Sequence, residues 1–476
     1  MGIRAYLGQR IGLKLAAMSI IVLGGCAAMS PATHSNYDLA ISGVTVIDAV
    51  GGARPNQTVA IRGDSIAAVV DTQAFTGTAT RSIDGAGQYL IPGLWDMHVH
   101  VTYEDALTGP MPDLFLDYGV TSVRDTGGLL PKLVPVVEQW RAPETIAPRI
   151  YYSGPLLDGT KVVYDGDDRP EIGIANPTSV QAVENLYALI AAGVDFIKIY
   201  ELVSPEVFSS LVAAAAANDL PIAAHVPLSL TADEAGPQVQ SMEHLRNIEL
   251  ACSNRAKALH KRRAGLVAAP GDLSGYALRS KLHAEQRPRA LGDLDIASER
   301  CQRVIASLAN TIQVPTIRLN TIFEYSPLER ADWLASLADL PAELAQQWQA
   351  TAERFLGKGS PVAIQTSQWS LALVAELHRR GVPIGAGTDT PIGQAIPGYS
   401  LHTELERLVE AGLPPLEALR AATVRPAEFL RLESQLGTIE PGKWADLVLL
   451  RENPLEDIRN TRTIEMVIAN GRLVRE

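Results

Sequence analysis

Short alternations of apolar and polar residues occur near the two ends of the chain. They run through residues 37–70, where Gly63-Asp64 interrupts them as a turn, and they return in 445–450 and 465–474. Asn470-Gly471 is a strong signal for a two-residue hairpin. We therefore expect residues 37–92 and 435–476 to pair as one small β-sandwich domain.

Between these ends, short apolar segments alternate with longer helical ones such as 205–217 and 401–411. This order predicts an α/β core with parallel strands. The candidate strands are 94–98, 120–125, 149–153, 196–200, 222–225, 239–244, 312–317 and 384–389. Eight such strands match a (βα)8 TIM-type barrel over residues 93–434, with a doubly wound open sheet as the alternative.

A long insertion, residues 252–300, separates the sixth candidate strand from the seventh and begins with a basic segment. Its position in a barrel predicts a lid or wall over the mouth. Arg255 in this segment is a candidate for meeting a substrate carboxylate.

The N-terminus has the order of a secretory signal, because a basic segment (4–14) precedes an apolar run (15–23). The run is too short to span a bilayer, and a buried helix is the alternative. The sequence Leu-Gly-Gly that ends at Cys26 resembles a bacterial lipobox. We expect a signal peptide over residues 1–25, acylation of Cys26 and a tether over 26–36, hence an exported, periplasmic or cell-envelope lipoprotein that meets the membrane only through its lipid.

The net charge and the cysteine count limit the kinds of binding partner and compartment that are expected. A net charge of −12 disfavours nucleic acid, because phosphate binding needs a basic face, and a small-molecule substrate is expected instead. The chain could also form a homo-oligomer. Besides Cys26, only Cys252 and Cys301 occur, and in an oxidising compartment they are either a disulfide or two buried thiols.

The pair His98-Val99-His100 carries the strongest chemical signal. Alternate residues of a strand point the same way, so both imidazoles can reach one metal. Other possible ligands fall at predicted strand ends, which converge on one face of a barrel: Lys198, His225, His244 and Asp389. For any single histidine, the alternative is a buried structural role. For Lys198 the alternative is an ion pair with Asp195 or Glu201, and for Asp389 it is a helix cap.

Three segments resemble the signatures of the amidohydrolase superfamily: 91–100 (IPGLWDMHVH), 385–390 (GAGTDT) and 437–448 (GTIEPGKWADLV). Two more resemble its imidazolonepropionase-like and Xaa-Pro dipeptidase-like branch: 196–200 (FIKIY) and 241–244 (SMEH).

The resemblance implies two divalent metal ions, with zinc expected. His98, His100 and Asp389 would hold the buried ion, and His225 and His244 the exposed one. Lys198, N6-carboxylated, would bridge both, since a carbamate is an anionic oxygen donor suited to divalent ions. A metal-bridging hydroxide would attack an amide carbonyl, while Asp389 accepts the proton and returns it to the leaving nitrogen.

The sequence departs from the family pattern in two places and lacks the motifs of other enzyme classes. The stretch after His225 lacks the tyrosine expected in dipeptidase-like members, and it lacks the glutamate that barrel deaminases place three residues after this histidine. No Gly-x-Ser-x-Gly elbow, nucleotide-binding glycine loop or His-Glu-x-x-His helix occurs. We expect hydrolysis of a dipeptide or N-acyl amino acid. A cyclic amide or lactone hydrolase and a non-catalytic surface lipoprotein are the alternatives.

Other polar residues receive no part in this site. His402 and Glu404 begin a predicted helix, where a structural role is expected. Four further histidines lack partners that would make them ligands: His34, His260, His283 and His378.

Overall fold

Two kinds of sheet organise residues 36–167 and 169–476, the part of the chain that the computed structural model describes. Asn36–Glu476 cluster as one compact unit. The expected leader, Cys26 and the tether up to residue 35 lie outside the described residues. Among the helices that are described, none is both long and apolar enough to cross a membrane.

The strands alternate with helices in the middle of this unit and follow one another directly near its ends. The strands are β1 (Asn36–Asp48), β2 (Gly52–Arg62), β3 (Ser65–Asp71), β4 (Thr78–Asp84), β5 (Tyr89–Pro92), β6 (Leu94–Val99), β7 (Val120–Asp125), β8 (Arg149–Tyr152), β9 (Leu156–Asp158), β10 (Gly173–Ala175), β11 (Ile197–Ile199), β12 (Ile222–Ala224), β13 (Ser241–Glu243), β14 (Ile312–Val314), β15 (Leu447–Leu450), β16 (Ile464–Ala469) and β17 (Arg472–Arg475).

The α-helices are α1 (Asp105–Thr108), α2 (Met111–Asp117), α3 (Leu130–Arg141), α4 (Ser179–Ala191), α5 (Pro205–Ala217), α6 (Ala232–Ala235), α7 (Ile248–Cys252), α8 (Ala256–Ala268), α9 (Gly275–Leu291), α10 (Glu299–Ser307), α11 (Ile317–Asn320), α12 (Ala331–Ser336), α13 (Ala342–Phe355), α14 (Pro361–Arg379), α15 (Tyr399–Glu410), α16 (Pro415–Ala421) and α17 (Val424–Leu430).

The two ends of the unit share one mixed sheet in the order β17-β16-β15-β5-β1-β2-β3, with β4 beside β1. Antiparallel pairing of β5 with β15 joins the ends, and Leu447 lies opposite Pro92. At the predicted hairpin, Asn470 and Gly471 both have positive φ, as a type I′ turn requires. The prediction that the ends pair in one sheet is confirmed.

Two parallel sheets form the middle of the unit, in the orders β6-β7-β8 and β10-β9-β11-β12-β13-β14. Seven of the predicted core segments coincide with strands to within a few residues: β6, β7, β8, β11, β12, β13 and β14. Strands β9 and β10 were not predicted. The α/β class is confirmed, and helices such as α5 connect successive parallel strands.

The eighth predicted strand, 384–389, is an extended segment held by isolated parallel bridges, from Ile384 to Gln313 and from Thr390 to Val99. Asp389 at its end has φ +63°, a left-handed conformation that interrupts a regular ladder. Backbone hydrogen bonds still tie the segment to its neighbours, since Gly385 N donates to Gln313 O (2.9 Å) and Met97 N to Ala386 O (2.9 Å). This segment therefore connects β14 to β6.

The insertion 252–300 is helical and contains α8, α9 and the start of α10. Cys252 at the end of α7 and Cys301 in α10 form a disulfide with an Sγ–Sγ distance of 2.08 Å. Of the two expectations for these cysteines, the bridge is therefore the one the structure contains. It ties the segment that follows β13 to the helix that precedes β14.

Candidate metal centre

All six predicted ligands line one cavity at the carboxyl ends of the parallel strands. The strand ends bring them there, because parallel strands direct their carboxyl ends to the same edge of a sheet. All six side chains are buried. The lining residues are His98, His100, Leu156, Tyr164, Ile172, Lys198, Tyr200, His225, His244, Arg246, Asp389 and Ile392.

Three of the ligands form a compact group. Asp389 Oδ1 lies 3.2 Å from His98 Nε2 and 3.3 Å from His100 Nε2. One donor atom from each residue falls within 4.8 Å of the other two, a spacing that can enclose one cation. The ring of His244 extends the group, with its centroid 4.6 Å from that of His98 and 4.7 Å from that of His225.

Lys198 reaches the same cavity and forms no ion pair with the other described residues. Its Nζ is buried and has no hydrogen-bond partner within the described residues. The alternative partners are engaged elsewhere, because Asp195 accepts from Arg141 (2.8 Å) and Glu201 from His225 (2.8 Å). Burial lowers the pKa of Lys198 to about 8. The expected alternative of a lysine paired with Asp195 or Glu201 is therefore wrong.

Each of the four histidines has a partner at Nδ1, on the ring side away from Nε2. The partners are Glu243 Oε2 for His98 (2.6 Å), Gly127 O for His100 (2.9 Å), Glu201 Oε1 for His225 (2.8 Å) and Thr316 Oγ1 for His244 (2.7 Å). A carbonyl or carboxylate oxygen only accepts, so Nδ1 of His98, His100 and His225 donates and a neutral ring keeps its lone pair at Nε2. The Thr316 hydroxyl can accept from His244 Nδ1 or donate to it. This is the arrangement in which histidine ligates metal ions.

Glu243 fixes His98 through a buried network that the sequence did not predict. Its carboxylate accepts from Arg124 Nη2 (2.8 Å) and Ser241 Oγ (2.8 Å). Burial alone would raise the pKa of Glu243, but Arg124, Lys198 and His98 hold it well below its usual range. The carboxylate is therefore ionised and can orient the imidazole.

Glu201 plays the corresponding part for His225. It also accepts hydrogen bonds from Arg279 Nε (3.2 Å) and His283 Nε2 (3.0 Å) on α9, and from Arg246 Nη1 (3.3 Å). Helix α9 of the insertion thus packs directly behind the cavity, as the expected wall would. His283, for which the sequence suggested no partner, contacts Glu201 and does not line the cavity.

Comparisons with known proteins agree with this geometry. Residues 296–475 match the model of the Amidohydrolase family. Ochratoxinase of Aspergillus niger is 34% identical over 121 residues, 23% of this chain and 24% of that protein, so the chain matches about a quarter of its curated relative's length. The resemblance to the amidohydrolase superfamily is confirmed.

Solved structures share the fold of this protein over most of the chain. A Xaa-Pro dipeptidase crystallised with methionine in its active site superposes with a TM-score of 0.64, at 20% identity over 92% of this chain and 100% of that one. A bottromycin amidohydrolase superposes with a TM-score of 0.68, at 21% identity over 92% of this chain and 86% of that one. At this identity the likeness shows a common fold.

Asp389 is held in its left-handed conformation by contacts of the amidohydrolase-like signature segments. Its N–H donates to His98 O (2.8 Å), while Asp96 accepts from Thr388 N (3.0 Å) and Thr388 Oγ1 (2.5 Å). A non-glycine residue persists in this region only where its surroundings fix it. Asp96, which the sequence pattern left without a role, therefore positions the carboxylate.

Arg255, His402 and Glu404 lie outside the cavity. Arg255 pairs with Asp293 (3.2 Å), leaves 61% of its side chain exposed and does not line the cavity, so its candidacy for a substrate contact is wrong. His402 contacts Tyr118 O and Thr461, and Glu404 accepts from two backbone N–H groups at the start of α11. These last two residues have structural contacts, as expected.

Two aromatic side chains in the cavity wall were missed. The ring of Tyr200 lies 4.3 Å from that of His225, and the ring of Tyr164 lies 5.9 Å from that of Tyr200. Tyr200 directly follows β11, two residues after Lys198, so the strand-end position was a signal available in the sequence. Tyr164 belongs to the loop between β9 and β10, which no pattern had placed near the site.

Proposed function

We propose that this protein is a binuclear metal-dependent hydrolase that cleaves an amide bond in a dipeptide or N-acyl amino acid. The observation that carries the proposal is the meeting of four histidines, one aspartate and one lysine around a single cavity. A protein that only binds or assembles has no physical need for such a set of buried ligands. The amidohydrolase resemblance supports the same reaction class.

The donor set suits two divalent cations, for which zinc is our proposal. His98, His100 and Asp389 would hold one ion, and His225 and His244 the other. The buried Nζ of Lys198, without a hydrogen-bond partner among the described residues, fits a carbamate that would bridge both ions. When bound, the cations would lower the pKa of a shared water and polarise the scissile carbonyl.

The remaining steps belong to the chain itself. The Asp389 carboxylate would take the proton of the attacking water and deliver it to the leaving nitrogen. Glu243 and Glu201 keep the rings of His98 and His225 oriented through their Nδ1 atoms. Leu156, Ile172 and Ile392 in the cavity wall would exclude bulk water and contact apolar parts of the substrate.

We further propose that the parallel strands close as a (βα)8 barrel over residues 93–434, with 37–92 and 435–476 as a separate small β domain. The bridges of segment 384–390 to β14 and β6 support closure on one side. On the other, Asp195 N donates to Tyr152 O (3.0 Å) and links β8 to the segment before β11. Each of the eight segments then has a neighbour on both sides.

For its location, we propose an exported lipoprotein of the cell envelope, anchored through acylated Cys26. The basic-then-apolar N-terminus supports export, and the disulfide between Cys252 and Cys301 suits an oxidising compartment.

The function is tested with the purified chain in zinc-replete buffer. We expect about two zinc ions per chain and hydrolysis of N-acyl amino acids or dipeptides. Turnover of lactones or cyclic amides alone would replace the substrate class, and a folded protein that binds no zinc would contradict the binuclear proposal. Zinc content is measured by elemental analysis, and amide cleavage by release of the free amine.

A further inference from the structure

Arg246 places a guanidinium group in the wall of the cavity. It follows the predicted ligand His244 by two residues, and 20% of its side chain is exposed. Among the other described lining residues, Lys198 is the remaining cationic type, and its side chain is fully buried. A substrate entering the cavity would therefore meet Arg246.

The surroundings of Arg246 leave positive charge at this wall. Glu201 carries one negative charge but faces two guanidinium groups, with Arg246 Nη1 at 3.3 Å and Arg279 Nε at 3.2 Å. Burial lowers the pKa of His283, the next neighbour of Glu201, to about 3, so its ring is neutral at pH 7. Glu249 and Arg287 nearby form their own balanced pair (3.2 Å). Among these five charged side chains, two carboxylates face three guanidinium groups, so one positive charge has no counterion among them.

The geometry of Arg246 leaves donors for a ligand. A guanidinium has five N–H donors, and the hydrogen bond that Arg246 makes within the described residues uses one, toward Glu201. A planar fork of this kind matches a carboxylate in two parallel hydrogen bonds. Leu156, Ile172 and Ile392 in the same cavity offer only apolar side chains.

We propose that Arg246 binds the free carboxylate of the substrate and thereby selects acyl amino acids or dipeptides over neutral amides. The inference rests on the proposed amide hydrolysis and adds its specificity-determining residue. Removal of Arg246 leaves Glu201 with Arg279, His283 and His225, so the network behind the cavity persists.

The test compares L-leucine with L-leucinol, which replaces the carboxylate by an alcohol, as ligands of the zinc-loaded protein in titration calorimetry. Wild type should prefer L-leucine. Arg246→Gln should weaken L-leucine binding by about 10–100-fold, which corresponds to a loss of about 1.4–2.8 kcal/mol in binding free energy. The same substitution should change L-leucinol binding little. Arg246→Lys should retain part of the preference, since lysine keeps the charge but not the fork. Arg255→Gln, the same change on an exposed side chain outside the cavity, is the matched control and should bind like wild type.

The proposal is overturned if wild type shows no preference, or if Arg246→Gln weakens both ligands equally or neither. Hydrolysis of N-acetyl-L-leucine and its carboxamide is followed in parallel. Carboxylate binding through Arg246 without hydrolysis of either compound would reject the proposed function and retain the inference. If wild type and Arg246→Gln both hydrolyse N-acetyl-L-leucine and its carboxamide equally well, the inference about Arg246 is rejected and amide hydrolysis is retained.

Discussion

His98 Nδ1 lies 2.6 Å from Glu243 Oε2, and both side chains are buried. Glu243 ends β13 and His244, another predicted ligand, follows it directly, so this strand end supplies both a predicted ligand and the partner that orients the predicted ligand His98 on β6. The opposite oxygen of Glu243 is held by Arg124 and Ser241. The position of His98 is therefore set by a chain of buried hydrogen bonds.

Substitution Glu243→Gln removes the charge behind His98 and keeps the shape. We expect zinc affinity or activity to fall about 10–100-fold, as for other partners of metal-bound histidines. Arg124 then lacks its buried counterion, so the melting temperature should fall as well. Zinc affinity is measured by chelator competition at a temperature where the variant is folded. Glu249→Gln is the matched control, because Glu249 pairs with Arg287 instead, and equal zinc affinity in both variants would contradict the role of Glu243.

Asp389→Asn tests proton transfer. The amide keeps the size of the side chain but is a poor proton acceptor, so kcat should fall by about 10²–10⁴-fold. Circular dichroism should be unchanged, because the backbone bond from Asp389 N to His98 O does not use the side chain. Zinc content is measured on the same sample, since a loss of metal would be a second cause of inactivity. A metal-loaded variant with near-normal kcat would refute the assigned role.

The six candidate ligands could be predicted because their signals are local. His98 lies on β6 and His100 directly after it, and Lys198, His225 and His244 likewise lie on or directly after a strand. A strand-end position suffices to bring such residues to one edge of a parallel sheet. The segment at Asp389 was located correctly but is too irregular to form a ladder, since its left-handed backbone depends on contacts with Asp96 and His98.

The supporting network could not be read from sequence, because its contacts join distant positions. Glu201 meets His283 at a separation of 82 residues, and Glu243 meets His98 at 145. No periodicity connects such pairs. The basic insertion was noticed, but its candidate Arg255 pairs with Asp293 outside the cavity, while Arg279 from α9 reaches Glu201. The position of α9 in the folded chain distinguishes these two arginines, and no sequence pattern shows it.

The disulfide should contribute to stability by restricting the unfolded chain. Cys252 and Cys301 are 49 residues apart, and a loop of this length corresponds to about 4 kcal/mol on the chain-entropy model. We expect the double variant Cys252→Ala/Cys301→Ala to melt at a lower temperature than wild type under non-reducing conditions. With reductant present, the two proteins should melt close together. Identical melting without reductant would show that the bridge adds no stability.

Cys26 tests the proposed anchor. Cys26→Ser should move the protein from the membrane fraction to the soluble fraction, because acylation requires the thiol. Cell fractionation and mass spectrometry of the mature N-terminus measure the two effects. Export itself should persist, since the basic and apolar parts of the leader are unchanged. Continued acylation of the variant would disprove the lipobox interpretation.

Lys198 offers the sharpest test of a two-ion site. Its Nζ is buried without a hydrogen-bond partner in the described part of the chain, so its removal breaks no visible contact. Lys198→Met keeps a long unbranched side chain but cannot form a carbamate. If a carbamate bridges the ions, the variant should stay folded while its zinc content falls from about two per chain to about one or less. Wild type grown with ¹³C-labelled bicarbonate should show a carbamate carbon by NMR that the variant lacks. A folded Lys198→Met protein with full zinc content would remove Lys198 from the ligand set.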